Sequence, residues 1–157
     1  MSGKLVYCLN VSLDGYIEAA DRSLDWATVD EEIHGWFNEQ ERAMDASLYG
    51  RGLYETMAAY WPTGADDPEA TPAMLEFAHI WNAKPIMVFS STLTDVVRNA
   101  RIVAGDVAER LTEIRREFDG DLNVGGPHLA AQFVQRGLVD EYRLVVRPVV
   151  LGTCTPF

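Results

Sequence analysis

The residues Gly125-Gly126-Pro127-His128 have the types and spacing expected of an anion-binding turn. They follow a short apolar strand pattern that starts near Leu122, and they precede an apolar helical stripe that ends at Gly137. Because proline at the first helical position lacks only an N–H that would be unpaired there, the next amides stay available at the positive end of the helix dipole. A phosphate could approach the two glycines, which carry no Cβ. A sharp corner between two core elements explains the same residues, so spacing alone leaves both interpretations open.

Two other apolar strand patterns end in residues that suit a phosphate or a ribose. The pattern 46–49 ends at Gly50-Arg51, where the arginine supplies a fixed positive charge. The pattern 86–89 ends at Ser90-Ser91, which offers two hydroxyl groups. Each has a simpler explanation, since Arg51 can pair with Glu55 one helical turn later and the serines can cap the following turn. Both interpretations therefore stay open at these strand ends.

A carboxylate follows the first strand pattern of the chain. This pattern, over residues 4–10, runs on to Ser12 and to Asp14-Gly15. Ligand contacts in open α/β sheets lie just beyond the carboxyl ends of strands, which makes Asp14 a candidate site residue. Asp-Gly is also a common turn pair, and from the residues alone a structural turn aspartate is the favoured interpretation.

Composition excludes several classes of function. The formal net charge of -11 over 157 residues, without a basic cluster, disfavours a nucleic-acid partner. Cys8 and Cys154 form neither a disulfide framework nor a metal set, which fits a reducing compartment. No two histidines have metal-ligand spacing, and the sequence shows neither a signal peptide nor an apolar run of membrane-span length. We therefore expect a cytoplasmic protein without a metal and without a membrane partner.

Strand patterns alternate with helical patterns along the chain. Helices are predicted at about 29–44, 53–61 and 73–82, from Asp106, and from Pro127. The alternation predicts one α/β domain over residues 1–157, with a mostly parallel central sheet and helices on both faces. In such a sheet the strand ends at Gly50, Ser90 and Gly125 share one edge, where an extended ligand with several phosphates could lie. Residues 140–150 alternate as a long strand that begins at a sheet edge, and 151–157 are predicted as loop.

Taken together and in order, seven motifs resemble the dihydrofolate-reductase-like superfamily. The resemblance is closest to the group named for the reductase domain of the bifunctional riboflavin-biosynthesis deaminase/reductase. It implies a three-layer α/β sandwich, a dihydronicotinamide cofactor that is usually NADPH, and a homodimer. It also implies hydride transfer to a ribosylamino-pyrimidine, such as 5-amino-6-(5-phosphoribosylamino)uracil, or to a pterin-like heterocycle. The motifs are Ser12-Leu13-Asp14-Gly15-Tyr16-Ile17, Leu24-Asp25-Trp26, Tyr49-Gly50-Arg51-Gly52-Leu53-Tyr54-Glu55, Val88-Phe89-Ser90-Ser91-Thr92-Leu93, Asn123-Val124-Gly125-Gly126-Pro127, Leu138-Val139-Asp140-Glu141-Tyr142 and Pro148-Val149-Val150-Leu151-Gly152.

The resemblance also implies roles for individual residues. The loop with Ser12 and Asp14 would lie over the nicotinamide and the substrate. The folate enzymes carry a substrate carboxylate early in the first helix, and counting forward from Trp26 places it at Glu31, whereas counting back from Trp36-Phe37 places it at Ile33. The candidate catalytic residues are therefore Asp14 and Glu31. The candidate cofactor-binding residues are Ser12, Gly50, Arg51, Ser90, Ser91, Gly125, Gly126, Pro127 and His128.

The chain departs from the family pattern at three places. Gly52-Leu53 stands where Lys and Thr are common, and Ser91 stands where many members have a basic residue. Arg51 is then the main candidate for a 2′-phosphate, so NADPH is expected and NADH is possible. Members of the group continue past the equivalent of Leu151-Gly152 with strands that complete the sheet. We therefore expect these C-terminal strands to be absent, which would leave an exposed edge and favour dimerisation.

A second class of function fits the same motifs. A nucleotide- or sugar-phosphate-binding module without turnover would keep the Gly125-Gly126 turn and the charge of Arg51. It would oxidise no cofactor with any acceptor. The sequence leaves this alternative open.

Overall fold

A parallel sheet of six strands lies at the centre of the computed structural model, which describes residues 3–157. The strand order is β5-β4-β3-β6-β1-β7, and β2 pairs with β8 in a separate antiparallel ribbon. In chain order the elements are β1 (Leu5–Ser12), β2 (Tyr16–Glu18), α1 (Glu31–Arg42), β3 (Ala46–Gly50), α2 (Arg51–Ala58), a 3-10 turn (Gly64–Asp66), α3 (Pro72–Ala83), β4 (Ile86–Phe89), β5 (Ala100–Val103), α4 (Val107–Glu117), β6 (Leu122–Gly125), α5 (Pro127–Gln135), β7 (Glu141–Arg147) and β8 (Thr155–Pro156).

Three neighbouring strands bring the predicted phosphate-binding turns to one edge of the sheet. β3 lies between β4 and β6, and all three run in the same direction. The register pairs Gly50 with Phe89 and Tyr49 with Gly125. The turns that follow these strands are therefore adjacent, as the alternation of strands and helices predicts.

Helices cover both faces of the sheet and bury an apolar layer on each. On one face, Phe133 of α5 is fully buried and its ring meets Phe89 edge-on at 5.7 Å. On the other face, Phe77 and Trp81 of α3 pack in a cluster with Val88. The predicted arrangement of a mostly parallel sheet between two helical layers is confirmed.

Two helix boundaries differ from the predicted ones because of capping. α1 begins at Glu31, since the side chain of Asp30 accepts a hydrogen bond from the N–H of Ile33 at 2.9 Å. α2 begins at Arg51, directly after β3, with Gly50 as its N-cap. Apolar periodicity alone places these helix starts about two residues away, because it does not detect the capping residue.

The C-terminal residues are not the loop that the sequence predicts. Thr155–Pro156 form β8 against Tyr16–Glu18, and the N–H of Phe157 donates to the carbonyl of Gly15 at 2.9 Å. Strands of two or three residues are too short to show an alternation of apolar and polar residues, so the sequence does not predict them. The tail is thereby held against the loop that follows β1.

The outer strand β7 turns its apolar side chains to solvent. Tyr142, Leu144 and Val146 are exposed, whereas Arg143 on the opposite face donates a hydrogen bond to Gln40 of α1 at 2.7 Å. The strand is at the edge of the sheet, as predicted for its start. Within residues 3–157, no helix has the length and apolar character needed to cross a membrane.

We expect Phe133→Ala to destabilise the fold by about 3–5 kcal/mol, because it opens a cavity at a fully buried ring beside Phe89. Chemical denaturation measures the free energy of unfolding. Val134→Ala on the same helix is the matched control, since Val134 is 39% exposed and its truncation removes little buried area. Equal losses for the two variants would contradict the assignment of Phe133 to the core.

Candidate functional site

Two concave regions lie on either side of the Gly125-Gly126-Pro127 turn. The larger, here called the main cavity, has a volume of about 620 Å³ and is bordered by Gly125, Gly126 and Pro127. The smaller, here called the groove, has a volume of about 310 Å³ and is bordered by His128 and Leu129, the next two residues. The turn therefore forms part of the main cavity while the first turn of α5 forms part of the groove.

The groove brings together residues from three separate turns of the chain. It is lined by Gly50 and Arg51 after β3, by Ser90 and Ser91 after β4, and by His128 at the start of α5. All five are predicted cofactor-binding residues. Their common location is the result of the parallel register of β4, β3 and β6.

Arg51 takes part in the ion pair that the sequence offered as the simpler explanation. Its Nε donates to Glu55 at 2.7 Å, and its Nη1 donates to the hydroxyl of Thr92 at 2.7 Å. Half of the side chain remains exposed at the groove. An exposed pair of this kind contributes little stability, so the pairing leaves the guanidinium available to an anion.

Ser90 likewise caps the turn that follows β4. Its hydroxyl oxygen accepts hydrogen bonds from the N–H groups of Thr92 and Leu93 at 3.2 and 3.0 Å. Ser91 is exposed and also lines the groove. Unlike Ser90, Ser91 has a side chain without a hydrogen-bond partner among residues 3–157.

The helices that begin at the site differ from the other helices in how they are capped. α1, α3 and α4 each have an N-cap side chain, from Asp30, Thr71 and Asp106, that accepts a hydrogen bond from a first-turn N–H. α2 and α5 have the glycine N-caps Gly50 and Gly126, with no side-chain cap and no acidic residue in the first turn. Since first-turn amides have no intrahelical acceptor, these two adjacent helix ends can donate to an anion.

The paired glycines also have a packing role. A Cβ on Gly125 would lie 2.5 Å from Cδ2 of Leu53, and Gly126 has a φ of +91°, which side chains with a Cβ rarely adopt. The turn is thus a tight corner, as one interpretation predicts, and the binding of an anion by its backbone amides stays a prediction. A substitution at either glycine would test folding and binding together.

The main cavity is largely apolar, with a few polar groups. Phe37, Leu53 and Trp61 are among the residues that form its apolar walls. The Cys8 thiol also borders it, and burial raises the pKa of that thiol to about 11, so it stays protonated near neutral pH. The other side chains with polar groups that border the cavity include Tyr7, Asn10, Glu18, His34, Glu41, Tyr49 and Asn123.

Glu41 is a carboxylate that the sequence analysis did not single out. Its side chain borders the main cavity from α1, accepts hydrogen bonds from the hydroxyl of Ser47 at 3.2 Å and from the amide of Asn123, and lies near the ammonium group of Lys84. Burial raises the pKa of the Glu41 carboxyl, and the positive charge of Lys84 only partly opposes this. A half-buried acid with a raised pKa at a cavity is suited to proton exchange or to holding the polar edge of a ring.

The helical spacing of His34, Phe37 and Glu41 is the signal that could have identified this residue. All three border the cavity from one face of α1, at positions i, i+3 and i+7. An acidic residue on the inward stripe of an amphipathic helix is unusual. Residue type alone does not distinguish Glu41 from Glu31, Glu32 and Glu39, the exposed acids of the same helix.

The two predicted catalytic carboxylates lie elsewhere. Asp14 accepts hydrogen bonds from the hydroxyl of Ser12 at 2.7 Å and from the N–H groups of Leu151 and Gly152 at 3.1 and 2.9 Å. The Ser12 hydrogen bond is the main cause of a lowered pKa at Asp14. The buried Ser12 also accepts from the N–H of Tyr16. Asp14 therefore ties the loop after β1 to the C-terminal segment, and neither Ser12 nor Asp14 is among the residues that border the main cavity.

Glu31 is the first residue of α1 and contacts the start of α3. Its carboxylate accepts a long hydrogen bond, 3.4 Å, from the N–H of Ala73. Ile33, the alternative position, does not border the main cavity either, whereas His34 does. The roles of Asp14 and Glu31 in a reaction stay predictions.

Comparison with known proteins identifies relatives of the whole chain. The model of the RibD C-terminal domain matches residues 4–157. The uncharacterized protein YyaP of Bacillus subtilis (strain 168) is 30% identical over 154 residues, which are 98% of this chain and 79% of that protein.

Two solved structures share the fold. A putative riboflavin biosynthesis protein from Shewanella sp. PV-4 superimposes with a TM-score of 0.72 at 21% identity, over 99% of this chain and 82% of that one. A dihydrofolate reductase from Enterococcus faecalis, complexed with NADP(H), superimposes with a TM-score of 0.63 at 13% identity, over 100% and 78% of the two chains. The predicted dihydrofolate-reductase-like sandwich is thus confirmed as the fold.

We expect Glu41→Gln to flatten the pH dependence of stability. Because the pKa of Glu41 is raised by burial, the folded protein holds this proton more tightly than the unfolded chain, so wild-type stability falls as pH rises from the ordinary value of 4.5 towards the raised one. Glutamine has no proton to lose, so this fall should be smaller. Denaturation across this pH range measures it, with exposed Glu39→Gln on the same helix as control. Unchanged pH profiles for both variants would show that Glu41 ionises normally.

Proposed function

Because the chain belongs to the RibD C-terminal domain family, we propose that it is an NAD(P)H-dependent reductase that transfers hydride to a heterocycle. One observation carries the proposal. The Gly125-Gly126-Pro127 turn stands between an apolar cavity of about 620 Å³ and a groove that holds Arg51 and two serines. A dinucleotide cofactor has three parts in the corresponding order: a flat ring for the cavity, a pyrophosphate for the turn and a phosphorylated nucleoside for the groove.

The residues at the turn and in the groove fit such a cofactor. The first amides of α5, at His128 and Leu129, and the glycine backbone would hold the pyrophosphate. Arg51 would face the 2′-phosphate of NADPH, since it is the arginine that borders the groove. Ser90 and Ser91 would flank the ribose. When bound, the dihydronicotinamide would supply the hydride.

The main cavity would hold the nicotinamide ring of the cofactor next to the ring of the acceptor. Hydride transfer needs no protein nucleophile, so the contribution of the chain is to orient the two rings and to exclude water. The apolar walls formed by Phe37, Leu53 and Trp61 suit that task. A proton must also reach the product, and Glu41 is placed at the cavity with a raised pKa.

Asp14 and Glu31 remain candidates for the catalytic role through the family resemblance. Within this proposal Asp14 positions the loop that carries Ile17 and Glu18 at the cavity. The proposed acceptor is a ribosylamino-pyrimidine of the 5-amino-6-(5-phosphoribosylamino)uracil type or a pterin-like ring. Family membership supports this class of substrate.

Titration with NADPH and with NADH, followed by nicotinamide fluorescence, tests the cofactor. We expect Arg51→Ala to weaken NADPH binding roughly tenfold or more, because a hydrogen bond to a charged group is worth about 1.5–3 kcal/mol. NADH binding should change little, since NADH lacks the 2′-phosphate. Arg42→Ala is the matched control, because Arg42 is an exposed arginine paired with Glu76 and does not border the groove.

Equal losses for NADPH and NADH would show that Arg51 does not contact the 2′-phosphate. Failure of wild-type protein to bind either nucleotide would overturn the reductase proposal. Tight binding without cofactor oxidation by any pyrimidine or pterin acceptor would instead favour the binding module without turnover.

We also propose that the protein forms a homodimer through β7. The apolar row Tyr142, Leu144 and Val146 is exposed on the outer strand of the sheet, and such a face favours association. Val146→Asp should shift the protein towards monomer in light scattering coupled to size exclusion. Val134→Asp, at an exposed valine of α5, is the control. A wild-type monomer, or an unaffected dimer in Val146→Asp, would contradict this interface.

A further inference from the structure

We propose that the acceptor taken by the main cavity is a neutral heterocycle rich in N–H donors, and that the cavity rejects acceptors that carry a phosphate or a carboxylate. The inference rests on the proposed reductase function and narrows it. Of the two substrate types considered above, it excludes the phosphorylated one.

The charged groups around the main cavity are the first observation behind this inference. The carboxylic acids that border the cavity are Glu18 of β2 and Glu41 of α1. Neither lysine nor arginine is among the residues in 3–157 that border it. An anionic acceptor would therefore lie in an apolar space beside two acids and without a cation to balance its charge, and burying an unbalanced charge is strongly unfavourable.

The cations nearest to these acids are held by other partners. The ammonium group of Lys84 donates to the backbone carbonyls of Glu41 and Met44. Arg143 of β7 pairs with Glu141 and donates to Gln40. Neither group borders the main cavity, so neither is placed to receive a phosphate there.

His34 does not supply the missing charge. It borders the cavity from α1, and its ring packs against Phe77 at 5.9 Å and edge-on against Trp61 at 6.3 Å. Burial is the largest influence on its pKa and lowers it, although Glu31 and Glu76 act in the opposite direction. The imidazole is therefore neutral at neutral pH.

Several polar atoms of the cavity residues are acceptors that lack a donor, although the Tyr7 and Tyr49 hydroxyls also border the cavity. Among residues 3–157, the buried Oδ1 atoms of Asn10 and Asn123 have no hydrogen-bond partner, and both residues border the cavity. The carboxylates of Glu18 and Glu41 add further acceptor oxygens. Buried acceptors are stabilised by donors, so a ring that presents amino and ring N–H groups would satisfy them, whereas a phosphate brings only more acceptors.

The positive groups of the site lie in the groove instead. Arg51 and the uncapped ends of α2 and α5 are beyond the Gly125-Gly126-Pro127 turn. This separation gives the phosphates of the cofactor one side of the turn and leaves the other side for an uncharged ring. Anion binding and acceptor binding are thus divided between the two regions.

Calorimetric titration of the protein with pterin and with pterin-6-carboxylate at neutral pH tests the inference, with the oxidised cofactor NADP+ at saturation so that no acceptor is reduced during the titration. The two probes share a ring and differ by one carboxylate. We expect pterin to bind at least tenfold more tightly. A positive charge at the cavity should reverse the discrimination: Leu24→Arg, at a cavity residue that is 60% exposed, should tighten pterin-6-carboxylate severalfold and leave pterin unchanged.

Val134→Arg adds the same charge outside both regions and should leave both affinities as in the wild type. Equal or tighter binding of the carboxylate by the wild type would overturn the inference, and so would failure of pterin to bind. NADPH binding is measured separately by its fluorescence. If NADPH does not bind, the reductase proposal fails, and the same pair of titrations without nucleotide still decides the charge preference of the cavity.

Discussion

The first amides of a helix have no acceptor within the helix, and the arrangement of this site depends on that constraint. Three helices of the fold meet it with a side chain, and the two that start at the sheet edge do not. Because β3 and β6 are neighbouring parallel strands, the uncapped starts of α2 and α5 are also neighbours. The free N–H groups at these two helix starts, which are far apart in the sequence, thereby lie close together at one edge of the sheet.

The core holds these helix starts in place. α5 is fixed by the fully buried Phe133 and Leu129, and Leu129 also borders the groove. α2 is fixed in part by Leu53, whose side chain leaves no room for a Cβ on Gly125. Packing therefore requires glycine at position 125, and the proposed contact with a phosphate would require it too. The loop after β1 is held in a different way, by hydrogen bonds from the C-terminal segment to Asp14.

Local signals predicted the parts of the site that depend on local structure. Each strand end at Gly50, Ser90 and Gly125 is marked by its own residues, and the α/β alternation was enough to place them on one edge. The site residues that depend on tertiary contacts were not predicted. Glu41 acquires its raised pKa from burial in the folded protein, and its hydrogen bonds from Ser47 and Asn123, which lie on other elements, act against that shift.

Asp14 is a second residue whose role could not be predicted, because it depends on contacts with residues far away in the sequence. The sequence allows either a turn residue or a catalytic one, and the N–H groups that donate to Asp14 lie 137 and 138 residues away in the chain, at Leu151 and Gly152. A pairing over that distance leaves no local pattern. The short ribbon of β2 and β8, which completes the same contact region, is equally invisible to periodicity.

The central claim is that a dinucleotide lies across the Gly125-Gly126-Pro127 turn. Amide chemical shifts of isotope-labelled protein, recorded during addition of NADPH, test it most directly because they report on individual backbone N–H groups. The account predicts the largest shifts at Gly126, His128 and Leu129 and at Arg51 and Ser91, with little change on the exposed face of β7. Shifts confined to other surfaces, or none at saturating NADPH, would contradict it.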